Sequence, residues 1–399
     1  MSASLDQELR NRLSAIDAAG LRRVQDAWGS PQAPLRRMPP GEYLNFSSND
    51  YLGLANHPRV CSALSRGAAR WGCGTGAAHL LGGHTTEHAA LEEELAGFVG
   101  RQRALLFGSG YLANVGVIGA LVERGDAIFQ DRLNHASLID GALGSRAAFK
   151  RYRHADVGQL AELLAADSAR HRLVVTDGVF SMDGDVAPLE QLATVCRERD
   201  AWLMVDDAHG LGVLGDTGAG SVAGAGLSVN EVPVFMATLG KALGTAGAFV
   251  AGSDALIDYL IQRARTFVYS TAAPAAVAAA TREALRVVQE EPQRRERLHE
   301  LMRRFRAGAA QAGLPLLPSS TPIQPLLLGG VERLLVWRDA LREAGILVGA
   351  IRPPTVPRGT ARLRITLTAA HTAGQVDRLL ETLAAIASRE TTAGAQVPA

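Results

Sequence analysis

Residues 232–252 read VPVFMATLGKALGTAGAFVAG. Two apolar runs flank a glycine-spaced turn that carries one lysine. VPVFMAT and GAFVAG are short and lack polar alternation, so they predict strands buried on both faces of a sheet. RALLF, DAIFQ, LVVTD and AWLMVDD repeat this pattern between about residues 101 and 270, with helical spacing between them. That order predicts an α/β fold with a mostly parallel central sheet covered by helices. After the charged helix at 289–313, the order strand IQPLLLGG, helix VERLLVWRDALREAG, strand ILVGAIR, strand ARLRITL and a helix from Thr372 predicts a smaller α+β unit. Upstream, helical spacing from Leu5 to Trp28, the proline-rich SPQAPLRRMPPG and the extended EYLNFSSNDYLGL predict an arm. The expected division is an arm at 1–50, a large domain at 51–285, a small C-terminal domain at 286–390 and a flexible tail at 391–399.

Composition narrows the function. With 399 residues, 47% hydrophobic, 20% charged and a net charge of +1, the chain reads as a packed protein of more than one domain. That charge balance argues against nucleic-acid binding. The N-terminus has no apolar core before a cleavage site, and no apolar run approaches the ~20 residues of a membrane span. Cys61, Cys73 and Cys196 have neither the even count of a disulfide framework nor metal-ligand spacing. A cytoplasmic protein, with no membrane association and no metal, is expected. The arginines at 294–306 alternate with Glu296 and Glu300, which predicts a salt-bridged, solvated helix face.

The chain holds 41 Lys plus Arg, yet only Lys150 and Lys241 are lysines. Arginine serves for surface charge, whereas only lysine offers an amine that can lose its proton and attack a carbonyl. In parallel sheets, ligands gather at the carboxyl ends of strands. There the chain writes Asp206, Asp207 and His209 after AWLMV, Ser181 and Asp183 after LVVTD, His135 after DAIFQ, and Thr238 three residues before Lys241. RALLF leads into GSGYLANVG, a turn whose helix N-terminus can hold a phosphate. A phosphate cradle, an acid for a ring nitrogen, a stacking group and a reactive lysine together point to pyridoxal phosphate. WGCGTGAAHLLGG contains GxG, but no strand precedes it and no ribose-binding acid follows, so a dinucleotide site is not expected.

The segments LNFSSNDYLGL, LEEELAGFVG, FGSGYLANVGVI, DRLNHASLIDG, TDGVFSMDGDVAPL, MVDDAHGLGVLG, TLGKALGTAGAFV, YSTAAP and IRPPTVPRGTARLRITLTAAHT extend colinearly over nearly the whole chain. In them the chain resembles the α-oxoamine synthases, fold-type I pyridoxal phosphate enzymes that condense an amino acid with an acyl thioester and release carbon dioxide. The resemblance implies Lys241 as the cofactor's covalent anchor and Cα proton carrier, Asp206 at the pyridine nitrogen, His209 at the phenolic oxygen and His135 against the ring face. Gly110, Tyr111, Ser181, Thr238 and, from a neighbouring subunit, Thr271 would complete cofactor binding. Arg364, assisted by Asn49, would hold the amino-acid carboxylate, and Arg22 (or its neighbour Arg23) and Thr355 would contact substrate. DDAHGLGVLG and IRPPTVPRGTARLRITLTAAH bring the chain nearest to the branch that joins L-alanine to a pimeloyl thioester of coenzyme A or acyl carrier protein. PTVPRGTARLRIT is also similar to 5-aminolevulinate synthase and serine palmitoyltransferase, and leaves the acyl donor open. A homodimer with the site at the interface is implied. Some members of the family are partner subunits without the cofactor lysine, a reading that the presence of Lys241 argues against.

Overall fold

The computed structural model describes residues 4–395. Two sheets organise it. Strands β1 (Leu35–Met38) and β2 (Gly41–Phe46) lie in one sheet; β3 (Arg103–Phe107), β4 (Ala127–Asp131), β5 (Ala148–Tyr152), β6 (Arg172–Asp177), β7 (Trp202–Asp206), β8 (Val234–Thr238) and β9 (Ala248–Gly252) form the other. Strands β10 (Ile323–Gly329), β11 (Ile346–Ile351) and β12 (Ala361–Thr366) then return to the first. The seven-stranded order is β3-β9-β8-β7-β6-β4-β5, and only β9 runs against its neighbours. The five-stranded order is β1-β2-β11-β12-β10.

Alternation along the buried strands divides the core. Leu105, Ile128, Val175, Met204, Met236 and Val250 face the helices Gly110–Leu121 and Asp254–Arg263, meeting Val117, Ile118, Ile257 and Leu260. Their neighbours Leu106, Phe129, Val174, Leu203, Phe235 and Phe249 face the other way, into a core that continues without a break to Phe305, Trp337, Leu363 and Ile365 under the smaller sheet. Two apolar faces explain why the strand sequences show unbroken runs. Because β4, β6, β7 and β8 are parallel, their carboxyl ends Asp131, Asp177, Asp206 and Thr238 share one sheet edge.

Several expectations change. The helix of the arm stops at Ala18 rather than reaching Trp28. The extended segment is not a free arm: β2 pairs in parallel with β11, Leu44 opposite Ile346, so the smaller sheet is closed by the N-terminal strands. Strand β5 went unread because AFKRY carries two adjacent cations and no apolar run, which an edge strand tolerates. On the charged helix Gln293–Gln311, Arg295 is buried and donates to the carbonyls of Val288 and Asp216, while Arg294 and Arg304 pair with Glu291 and Asp377 as a solvated face should. The last helix, Ala373–Ala395, takes in 391–395 of the expected tail; 396–399 lie outside the described residues. Among the described residues no helix is long and apolar enough to cross a membrane.

Candidate active site

At the shared strand edge, Asp206 is buried and both its oxygens are engaged. Oδ1 accepts from the Ala208 N–H (3.0 Å) and Oδ2 from the Asn114 amide (2.7 Å). Asn114 also donates to Ser137 Oγ (2.8 Å), which meets His135 Nδ1 (2.7 Å). His135 caps the helix Ala136–Ser145, and its own N–H donates to Asp177 Oδ2 (2.7 Å). Asp177 faces Asp206 across β6 and β7, so burial and the neighbouring carboxylate hold it well above the usual acid range. Asp207 points elsewhere. It accepts from the Ser221 hydroxyl (2.6 Å) and N–H (2.7 Å), and burial pushes its pKa up to about 7, which makes it a turn-holding acid.

Lys241 follows β8 in the turn that opens at Thr238. Its amine meets His209 Nε2 at 3.0 Å, His209 Nδ1 meets the Tyr51 hydroxyl at 2.5 Å, and Tyr51 donates to Asn49 Oδ1 (3.3 Å). Asn49 Oδ1 also accepts from Arg364 Nη2 (3.1 Å). This run is satisfied when His209 is neutral with its proton on Nδ1. Burial, followed by the Lys241 and Arg364 charges, holds His209 well below its ordinary value. Burial lowers Lys241 to about 8, with Arg364 adding to the effect and Asp206 and Asp177 opposing it. Burial likewise raises the Tyr51 phenol to about 12 and keeps it protonated. His135 lies close enough to Asp206 and Lys241 to sense both charges, and burial lowers it too.

Arg364 and Arg362 are both buried on β12, two residues apart and therefore on one face. Arg362 pairs with Asp183. Arg364 instead donates to the Ser181 carbonyl (2.5 Å), Thr366 Oγ1 (3.0 Å) and Asn49, and among the described residues it has no carboxylate partner. A buried guanidinium held only by neutral acceptors is poised for an anion.

The cradle side is also assembled. Gly110 and Tyr111 begin the helix Gly110–Leu121 behind the cap Ser109, so their N–H groups have no intrahelical acceptor. A Cβ built on Gly110 would lie 3.9 Å from Thr238 Cβ, which places Thr238 directly beside that helix start. Tyr111 turns its hydroxyl outward to Asp140 (2.5 Å), leaving its backbone for the cradle. An amine without a carboxylate partner, a fixed acid, a neutral imidazole and a helix start make a donor set that fits pyridoxal phosphate. Thr271 is exposed, its backbone bridged to Ala78, and is not part of this network within one chain. Arg22, Arg23 and Thr355 line a separate cavity of about 660 Å³ with Leu13, Ile16 and Arg352, and Arg352 donates to the Arg22 carbonyl (3.1 Å).

Sequence reasoning missed Tyr51, Asn114, Ser137 and Asp177 as site residues. Asn114 had a signal: it is a buried amide in an otherwise apolar helix, and such a group requires a partner. Tyr51 had none, since its partner lies 158 residues away.

The family model for aminotransferase class I and II matches residues 41–383. The 8-amino-7-oxononanoate synthase of Methylococcus capsulatus is 61% identical over 372 residues, covering 93% of this chain and 95% of that protein. Among solved structures, the 8-amino-7-oxononanoate synthase of Francisella tularensis has a TM-score of 0.77 at 31% identity, covering 88% of this chain and 99% of that one. A high-resolution structure of SPT with PLP has a TM-score of 0.89 at 28% identity, covering 96% and 98%. With a match of that extent and a fold and donor set to suit it, the chain belongs to the aminotransferase class I and II family, as a fold-type I, PLP-dependent enzyme of the α-oxoamine synthase class.

Proposed function

We propose that the chain catalyses the decarboxylative condensation of L-alanine with a pimeloyl thioester, giving 8-amino-7-oxononanoate, carbon dioxide and the free thiol carrier, a step of biotin biosynthesis. The observation that carries this reading is the hydrogen-bonded run from the Lys241 amine to the Arg364 guanidinium, which joins a proton acceptor to a carboxylate clamp. Pyridoxal phosphate, when bound, supplies the electron sink that lets the amino-acid Cα lose its proton. Lys241, Gly110, Tyr111, His135, Ser181, Asp206, His209 and Thr238 would hold it, with Thr271 from a second copy of the chain in a homodimer.

Arg364 and Asn49 then grip the alanine carboxylate. Burial lowers the Lys241 pKa to about 8, so its amine gives up its proton more readily than an ordinary lysine and can take the Cα proton and later return it. Neutral His209 keeps that amine oriented without adding a second positive charge. Asp206, fixed by Asn114, would favour protonation of the ring nitrogen, and His135 would lie against the ring face. The cavity of Arg22 and Thr355 has an apolar wall from Leu13 and Ile16, which suits an acyl chain. The free Cys61, Cys73 and Cys196 fit a reducing, cytoplasmic setting.

The test incubates holoenzyme with alanine, glycine or serine against pimeloyl-, succinyl-, acetyl- and palmitoyl-CoA, with pimeloyl-acyl carrier protein as a further donor. Products are identified by mass. Alanine with a pimeloyl donor is the expected pair. Preference for glycine with succinyl-CoA, or serine with palmitoyl-CoA, would move the chain to another α-oxoamine synthase activity.

A further inference from the structure

The hairpin at 178–187 lies between the two sheets. Val179 bridges Val186, Phe180 N–H donates to the Asp185 carbonyl (3.0 Å), and Gly184 N–H donates to the Phe180 carbonyl (2.8 Å). From the side of the smaller sheet it is gripped at several points. Arg362 pairs with Asp183, Arg364 donates to the Ser181 carbonyl, and the hydroxyls of Ser319 and Thr321 donate to the Gly184 carbonyl at 2.8 and 2.9 Å. From the β4–β5 side of the larger sheet, among the described residues, one side chain reaches Asp185 of the hairpin. His154, just beyond β5, directs Nε2 to Asp185 Oδ2 (2.8 Å), while Nδ1 lies 3.1 and 3.2 Å from the two oxygens of Asp131 at the end of β4. Its ring stands edge-on to Phe180, with centroids 4.5 Å apart.

Two ring nitrogens facing two carboxylates require two protons, so this geometry belongs to an imidazolium. Asp131 already accepts the N–H groups of Leu133 and Ala155 at 2.8 and 2.7 Å, which leaves it an acceptor toward His154 as well. Burial opposes the charge, and Asp131 and Asp185 overcome it, pushing His154 up to about 10. Here is a histidine that stays charged across the physiological range, in contrast to the neutral His209.

We infer that His154 is a positioning residue. As a permanently charged strut between Asp131 and Asp185, it sets the hairpin that presents Ser181 to the cofactor and fixes the guanidinium of Arg364 that grips the amino-acid carboxylate. The path is short: His154 to Asp185, the Asp185 carbonyl to Phe180 N–H, and the adjoining Ser181 carbonyl to Arg364. The inference rests on Arg364 being the carboxylate clamp, as proposed above. Loss of the strut therefore moves the clamp and leaves Lys241 in place, so the defect falls on amino-acid binding and not on proton transfer.

Holoenzyme labelled with ¹⁵N-histidine, alone and as His154→Gln and Asp185→Asn, tests this directly. The expected wild-type spectrum keeps one imidazolium signal at pH 8.5, absent from His154→Gln. An imidazole that titrates between pH 6 and 7 at this position overturns the strut. In kinetics, His154→Gln and Asp185→Asn should each raise the KM for L-alanine about tenfold, with kcat within about twofold and the KM for the thioester unchanged. A fall in kcat and thermal stability with an unchanged alanine KM would mean a merely structural role and overturns the inference. If the wild type turns over another amino acid instead of alanine, the function proposal fails by itself. The KM comparison is then made with that amino acid, while the nitrogen spectrum reports on His154 as before.

Discussion

The two lysines occupy opposite settings. Lys150, on the edge strand β5, reaches Asp167 at 2.6 Å and is an ion pair at a partly solvated surface. Lys241, in the turn after β8, is desolvated, and its hydrogen-bond partner is an imidazole. The arginines of β12 repeat the contrast within two residues: Arg362 has Asp183, and Arg364 has only neutral acceptors. A cation with a carboxylate partner spends its charge inside the fold. One denied that partner, yet surrounded by hydrogen-bond acceptors, keeps its charge or its proton for something that arrives later.

The sharpest way to break this comparison is to remove both lysines in turn. Lys241→Ala should abolish the cofactor's visible absorbance and cost roughly 10²–10⁴-fold in turnover from lost proton transfer alone. A variant that kept either absorbance or turnover would end the mechanism proposed above. Next, Arg364→Ala should raise the alanine KM by roughly 10–10²-fold, the worth of a charge-assisted hydrogen bond, measured by initial rates at saturating thioester. Arg362→Ala should act mainly on the fold: it leaves Asp183 without its partner, lowers stability by about 3 kcal/mol in urea unfolding and raises the alanine KM less than Arg364→Ala does.

The pH dependence carries a smaller effect with a definite sign. In cofactor-free protein the Lys241 pKa is about 8 against an ordinary 10.5. The unfolded chain therefore binds more protons between those values, and stability rises with pH through that window; below it the penalty of burying the charge is constant. Comparing urea unfolding of the wild type and Lys241→Met at pH 7 to 10 isolates this slope, and parallel curves would contradict it. Least affected should be Lys150→Ala, with a change of about 1 kcal/mol or less and unaltered kinetics.

Much of this division was legible beforehand, and the reasons differ by residue. That Asp206, His209, His135, Thr238 and Lys241 gather at one edge was legible because a parallel sheet delivers its strand ends there, so the polar residue that stops each apolar run is already placed. The setting of Lys241 was legible from a lysine among glycines in a chain that otherwise writes arginine. Strand β5 was not, because an edge strand needs no continuous apolar run. The pairing of β2 with β11 was hidden because parallel pairing across so long a separation leaves no local mark. Tyr51 and Asp177 were missed for a related reason: each owes its role to a partner brought near only by the sheets. The hairpin's polar contacts were likewise invisible, although Ser181 and Asp183 themselves were singled out.

The pairing of β2 with β11 also bears on the order of events during synthesis. Leu44 and Ile346 are about 300 residues apart, so the smaller sheet cannot close until nearly the whole chain has left the ribosome. The larger sheet, complete by Gly252, can form well before that. Asn49, just beyond β2, must then wait for Arg364 on β12. A nascent chain thus acquires its acid and its lysine first and its carboxylate clamp last, which delays the competence to grip an amino acid until the end of translation.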